Sequence, residues 1–240
     1  MKRILIYVLL WAGPAAAVEC ENVSFESQSF TVCSVTSDEN IRIEGAQETD
    51  RFGSLSTAYP EADALAFATN AGMFHPDRSA VGYLEIDGSQ KMRLIETPGP
   101  GNFGMLPNGV FCIRPGGFDV IETLAFKANG PECEFATQSG PMLVIDGALH
   151  PRFLKDSHWR NIRNGVGVSD DGAMAHFVIS NQPVNFHSFA RFFRDEMGLD
   201  QALYFDGRVS RFFAPTIGRD DVGFPVGPRV LVFDAPRSDR

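Results

Sequence analysis

The residues best suited to chemistry in this chain stand in short polar loops punctuated by glycine. They are Asn70-Ala71-Gly72, Gln138-Ser139-Gly140-Pro141, Arg163-Asn164-Gly165, Ser180-Asn181 and Asp206-Gly207-Arg208-Val209-Ser210, each expected to end an apolar strand. Asn, Ser, Arg and Asp supply a hydrogen-bonding array, and the glycines let a ligand approach the backbone closely. Any one of these loops reads first as a turn, because Asn-Gly and Asp-Gly are turn formers. Five of them, with Arg163 and Asp206 set among apolar neighbours, point instead to a site. Of the five histidines, His75 stands apart: it lies in a Gly/Pro turn directly after a strand, whereas His176 and His187 read as structural or exposed.

Other chemistries lack their residues. The patterns G-x-S-x-G and H-E-x-x-H, the P-loop and the EF-hand are absent, and no histidine pair has helical metal-ligand spacing. Gly99-Pro100-Gly101-Asn102-Phe103-Gly104 satisfies G-x-G-x-x-G, but a dinucleotide fingerprint needs a helix after it. Pro98, Pro100 and Pro107 forbid that helix, so the segment reads as a loop.

The elements that must position these loops are mostly strands. Residues 21–45 alternate apolar and polar and read as an antiparallel run, and residues 65–69 form a short apolar strand. Asp87-Gly88, Asp146-Gly147 and Asp170-Asp171-Gly172 each stand between apolar runs and mark three hairpins. One amphipathic helix starts at Phe186, with Asn185 as N-cap and Gly198 as its stop. The strand 202–205 follows at once and delivers Asp206. Residues 214–228 read as an ordered surface loop before a last strand, 229–233. The fold class is therefore α+β: one sheet-dominated domain with mixed or antiparallel strands and a few packed helices.

The chain has 240 residues, 44% of them hydrophobic and 21% charged, which are globular values that exclude global disorder. Met1-Lys2-Arg3, an apolar run over residues 4–12, Gly13-Pro14 and Ala15-Ala16-Ala17 have the three parts of a secretory signal peptide. The expected organisation is a leader over residues 1–17 and a single domain over 18–240, exported to the periplasm or secreted. The formal charge is −9, and loss of Lys2 and Arg3 makes it more negative still. Such acidity argues against nucleic-acid binding and against docking of the mature form on anionic lipid. Phe, at 21 copies against 4 Tyr and 2 Trp, reads as core and cleft lining rather than a stacking platform for bases. Export makes Cys20, Cys33, Cys112 and Cys133 an even set in an oxidising compartment. Three pairings are open; Cys20–Cys33 with Cys112–Cys133 closes the shortest loops and is the expected one.

The motifs also carry a resemblance. Asn-Ala-Gly-Met-Phe (70–74), Gln-Ser-Gly-Pro-Met-Leu-Val-Ile-Asp-Gly (138–147), Arg-Asn-Gly-Val-Gly-Val (163–168), Phe-Val-Ile-Ser (177–180) and Ala-Leu-Tyr-Phe-Asp-Gly (202–207) resemble, in order, the phosphodiester glycosidase family. That family includes the lysosomal uncovering enzyme, which removes N-acetylglucosamine from mannose-6-phosphate tags, and this chain looks like a secreted bacterial branch. The resemblance implies hydrolysis of a sugar-1-phosphodiester to free sugar and a phosphomonoester. A departure stands in Asp-Gly-Arg-Val-Ser-Arg, where Arg208 and Arg211 replace the family's smaller residues.

A departing phosphate is already a weak base, so cationic and N–H donors on its oxygens matter more than a general acid. Arg163 is the first such candidate and Arg78 the second. Asp206, with Asp77 behind it, is expected to support an oxocarbenium-like centre or activate water, and His75 to act as base or shuttle. Asn70, Gly72, Ser139, Gly140, Asn164, Asn181, Gly207 and Ser210 would hold sugar hydroxyls and phosphate. This constellation requires no cofactor and no metal, and leaves room for a divalent ion beside Asp206. A carbohydrate phosphodiester is the expected partner; the alternative is a non-catalytic periplasmic glycan- or phosphate-binding protein on the same scaffold. The leader and the cysteines together predict that exported protein begins near Val18 and titrates no free thiol without reductant. N-terminal mass spectrometry and a thiol assay check this, and an intact leader or four free thiols would sink it.

Overall fold

The computed structural model describes residues 18–46, 55 and 65–234; the expected leader over residues 1–17 lies outside them. In chain order the first elements are β1 (Glu19–Phe25), β2 (Gln28–Thr36), β3 (Asn40–Glu44), β4 (Leu65–Asn70), β5 (Leu84–Ile86), β6 (Ser89–Met92), β7 (Gly109–Arg114) and β8 (Gly117–Glu122). Then come α1 (Thr123–Asn129), β9 (Phe135–Ser139), β10 (Met142–Ile145), β11 (Ala148–Leu149), β12 (Asn164–Val168) and β13 (Met174–Ser180). The chain continues with α2 (Phe186–Arg191), β14 (Gln201–Asp206), β15 (Phe212–Ala214), β16 (Arg219–Asp220) and β17 (Arg229–Phe233). They form three sheets, ordered β1-β2-β13-β12-β14-β10-β11, β16-β15-β4-β17-β3 and β6-β5-β9-β7-β8. Every strand pair among the described residues is antiparallel, so the expected sheet-dominated α+β domain holds.

Local chemistry explains the hairpins. Asp87 and Gly88 have φ of 51° and 64°, and Asp146 and Gly147 have 48° and 75°. Two successive left-handed residues are what a two-residue hairpin of matching twist requires. The helix at Phe186 begins as expected, the Asn185 Oδ1 accepting from the Ser188 N–H at 2.8 Å. Its second half departs from the expectation: residues Phe192–Glu196 widen into a π-turn. That wider turn carries two successive side chains inward, and Phe192 and Phe193 are both fully buried. The helix α1 and strands β8, β15 and β16 have no counterpart in the sequence reading. Residues 214–228 are not a plain loop, since they start in β15 and contain a 3₁₀ turn, Pro215–Ile217, and β16.

Phenylalanines lock the sheets to one another. Phe111 (β7) lies 5.7 Å from Phe177 (β13) and 6.3 Å from Phe205 (β14), centroid to centroid. Phe67 (β4) lies 5.3 Å from Phe177 and 5.0 Å from Phe212 (β15). The cluster thus draws on all three sheets. On the other face of the seven-stranded sheet, Phe30, Tyr204 and Val178 pack under α2 with Phe189, Phe192 and Phe193. Strand β14 serves both cores: Leu203 and Phe205 face the inter-sheet cluster, Ala202 and Tyr204 face α2. The disulfides are Cys20–Cys33, joining directly opposed residues of β1 and β2, and Cys112–Cys133, as expected.

Because Phe111 touches rings from three other strands, β8, β13 and β14, its truncation leaves a void that no single sheet can close. Phe111→Ala is expected to cost about 3–5 kcal/mol in urea unfolding. A loss under about 1 kcal/mol would show that the sheets repack independently.

Candidate active site

Antiparallel pairing gathers the polar loops at one end of the seven-stranded sheet. Asn164 pairs with Asp206 across β12 and β14, and with Ile179 across β12 and β13. Arg163-Asn164-Gly165 therefore opens β12 rather than ending a strand, as the sequence reading has it. Since its neighbours run the other way, the start of β12 lies beside the ends of β13 and β14.

Arg163 sits at the centre, 1% exposed. Its Nε donates to the Val184 carbonyl at 3.0 Å, Nη1 to the Tyr204 hydroxyl at 3.2 Å and Nη2 to the Trp159 carbonyl at 3.2 Å. The guanidinium lies 3.7 Å over the Phe186 ring, the first residue of α2. No ion pair among the described residues includes it. Burial pulls its pKa down, and the Tyr204 hydroxyl and Asp206 pull it back. A buried cation held by neutral acceptors and a ring leaves its field available to an anion nearby.

Asp206 ends β14 two residues after Tyr204, on the same strand face. Its Oδ1 accepts backbone N–H bonds from Gly207 and Arg208 at 2.5 Å and from Val209 at 3.2 Å. Its Oδ2 has no hydrogen-bond partner among the described residues. Burial raises the Asp206 pKa above its usual value, the three N–H bonds and exposed Arg208 opposing this only in part. Such a carboxyl is poised for proton transfer nearer to neutral pH. Gly207 has to be glycine: a Cβ there would lie 2.3 Å from the Tyr204 hydroxyl oxygen and 3.3 Å from the Arg163 Nη1. Ser210 ties the loop down, its Oγ donating to the carbonyls of Ile162 (3.1 Å) and Asp206 (2.9 Å).

A family model for phosphodiester glycosidases matches residues 63–219, which carry all five of these loops. The chain belongs to the phosphodiester glycosidase family. A protein of Escherichia coli K12, uncharacterized protein YigE, is 30% identical over 220 residues, 89% of this chain and 85% of that one. The zebrafish N-acetylglucosamine-1-phosphodiester alpha-N-acetylglucosaminidase catalytic domain, auto-inhibited by its pro-peptide, superposes with a TM-score of 0.61 at 12% identity. That likeness covers 92% of this chain and 85% of the zebrafish domain, and it shows a shared fold.

In this member of the family the other expected site residues divide into supports of the Asp206 strand end and residues outside its contacts. Asn70 and Asn164 are fully buried and satisfy each other: Asn164 Nδ2 donates to Asn70 Oδ1 at 3.1 Å and Asn70 Nδ2 to Asn164 Oδ1 at 3.3 Å. Asn70 Oδ1 also accepts from the Arg211 N–H at 3.0 Å. The pair braces β4 against β12 beneath Asp206. Ser139 Oγ donates to the Phe205 carbonyl at 3.0 Å and so holds the strand end from the third sheet. A Cβ on Gly140 would lie 2.0 Å from Asn108 Oδ1, and Gly72, at φ 138°, lies against Thr137 and Ser139, so both glycines admit neighbours. Asn181 belongs to a separate network, its Oδ1 accepting from Arg219 at 2.6 Å and from Thr31 at 3.0 Å. His75 is exposed in a turn where its N–H bonds the Ser79 carbonyl at 2.9 Å, and the Arg78 N–H bonds the His75 carbonyl at 2.7 Å. Neither meets Asp206 in any described contact.

Three site residues escape the sequence reading. Tyr204 and Phe186 hold the Arg163 guanidinium, and Asn102 backs Tyr204, its Nδ2 donating to the Tyr204 hydroxyl at 3.4 Å. Asn102 belongs to the G-x-G-x-x-G loop, which is a loop as expected but leans over the site. Period-two placement of Tyr204 before Asp206 was the one signal available for it. Gly207→Ala should push the Asp206 loop off Tyr204 and lower turnover at least tenfold, and adding Tyr204→Phe should recover part of that loss. A double variant no better than Gly207→Ala alone would show that the hydroxyl is not what requires glycine; kcat/KM on a sugar phosphodiester is the readout.

Proposed function

We propose that the chain is an exported hydrolase that cleaves a sugar-1-phosphodiester of a periplasmic or surface glycan. The observation that carries this is the Asp206 carboxyl: buried, raised in pKa, fixed through Oδ1 and open at Oδ2, beside a buried cation that no carboxylate neutralises. Water and the phosphodiester become free sugar and a phosphomonoester. Asp206 Oδ2 takes the water proton or supports the cationic anomeric carbon, while Oδ1, held by three N–H groups, keeps the carboxyl aimed. Arg208, exposed on the same loop, meets the phosphate, and Arg163 adds its positive field from below. His75 and Arg78, in the turn after β4, would serve as further contacts for the substrate. The departure Asp-Gly-Arg-Val-Ser-Arg divides accordingly: Arg208 faces the ligand, whereas Arg211 is buried beneath it.

Asp206→Asn keeps the size and the acceptor for the three N–H groups but removes the charge. Its kcat on a chromogenic sugar phosphodiester is expected to fall at least about a hundredfold. The stability effect has the opposite sign. A carboxyl with a raised folded-state pKa favours the fold when protonated and loses that contribution as pH rises through the folded pKa. The variant should therefore melt above the parent near neutral pH, and the gap should close as pH falls through the raised carboxyl pKa. Unchanged kcat with the same thermal shift would remove Asp206 from the chemistry. Binding of the phosphodiester without turnover by the parent would favour the non-catalytic alternative.

A further inference from the structure

Exposed apolar side chains are concentrated around this site. The large hydrophobics exposed among the described residues are Leu124, Leu154, Trp159, Ile162, Val222 and Phe224. All but Leu124 lie on two segments that flank the Asp206 loop. On one side the Ile162 carbonyl accepts from Ser210 Oγ at 3.1 Å. On the other, Gly223 packs against the Arg211 guanidinium, where a Cβ would lie 2.9 Å from Nη2. Leu154, Trp159, Val222 and Phe224 are 71%, 82%, 77% and 80% exposed. Side chains that line a pocket for a single soluble ligand are packed from behind; these four protrude from the surface instead.

Charge is distributed to match. Residues 151–163 carry exposed Arg152, Lys155 and Arg160 against one carboxylate, Asp156, and Arg208 is exposed on the loop between the two segments. On the far side Asp221 is bonded by Arg219 Nε at 2.9 Å. The whole chain is at −9, yet on the loop over residues 151–163 exposed cations outnumber carboxylates three to one, while Asp220 and Asp221 precede Val222 on the other segment. Protruding Trp, Phe and Leu beside Lys and Arg is the chemistry of a surface that enters the headgroup region of an anionic bilayer. We propose that this rim docks the protein on an anionic lipid bilayer, with the Asp206 site facing the membrane. The net acidity, from which the sequence reading expects no membrane contact, averages over a loop at 151–163 that is locally cationic. That the substrate is then a glycosyl phosphodiester presented at the bilayer surface rests on the function proposed above; the docking does not.

Trp159 is its own reporter. With Trp11→Phe it becomes the sole tryptophan of the full chain, and its emission reads this rim rather than the leader. Vesicles of phosphatidylcholine with phosphatidylglycerol should shift that emission to the blue, and brominated acyl chains in them should quench it. Pure phosphatidylcholine should bind more weakly, and Leu154→Ser with Phe224→Ser should lower the vesicle affinity at least about tenfold while leaving hydrolysis of a soluble phosphodiester unchanged. Asp206→Asn should keep the shift, which separates this proposal from the catalytic one. No shift and no quenching, equal binding to both vesicle types, or undiminished binding by the double variant overturns the proposal. A shift with monomeric octyl phosphate but not with vesicles overturns it too, making the rim a subsite for a soluble amphiphile.

Discussion

The buried guanidinium of Arg163 is the constraint around which the rest of the site is arranged. Removing a guanidinium from water is costly, and an acidic partner would be the usual compensation. Here the compensation is distributed over two carbonyls, a phenol and a ring face. Each comes from a different place: Val184 from the segment before α2, Trp159 from the loop before β12, Tyr204 from β14 and Phe186 from α2. Satisfying one side chain therefore fixes the approach of four segments. A carboxylate in that position would have neutralised the charge and left nothing for a ligand.

Asp206 depends on this arrangement and on the inter-sheet packing behind it. Phe205 anchors the strand end in the aromatic cluster while Tyr204, facing the other way, anchors it under α2. The main chain at Asp206 is thereby fixed on both faces. Its loop then turns so tightly that three successive N–H groups meet one carboxyl oxygen. These bonds favour the ionised form and burial disfavours it; burial prevails, so the group titrates above the ordinary carboxylate range. Orientation and pKa are thus set separately, by different neighbours.

The strands with alternating patterns, the Asp-Gly hairpins, the cap at Asn185 and the strand that delivers Asp206 were all legible in the sequence, because each follows from neighbours within a few residues. So was the disulfide pairing, from loop length. The π-turn at Phe192 was not, since it depends on two adjacent rings both finding the core, which is a tertiary demand. Strands β15 and β16 are too short and too interrupted by Pro and Gly to show a period. At the candidate site, residue type and glycine spacing marked loops that the fold brings near one another, but could not say which side chains face outward. Asn70 and Asn164 look like ligands in sequence and prove to be each other's partners in space, and Tyr204 looks like core and holds the cation. Hydrogen-bond satisfaction is a property of the assembled ends of strands, and no local pattern records it.

Net charge was the least transferable of the sequence quantities. Acidity at −9 describes the protein as seen from far beyond a Debye length, whereas a surface that touches a membrane or a substrate acts within it. The loop over residues 151–163 and Arg208 place exposed cations beside the Asp206 loop, near the protruding Trp159 and Phe224. Arg211, from the same departure, contributes instead to the interior, its backbone N–H held by Asn70. Two arginines three residues apart thus take opposite roles because β15 begins at Phe212. The chain must turn inward there to pair with β4, and this buries Arg211 while leaving Arg208 on the crest of the turn.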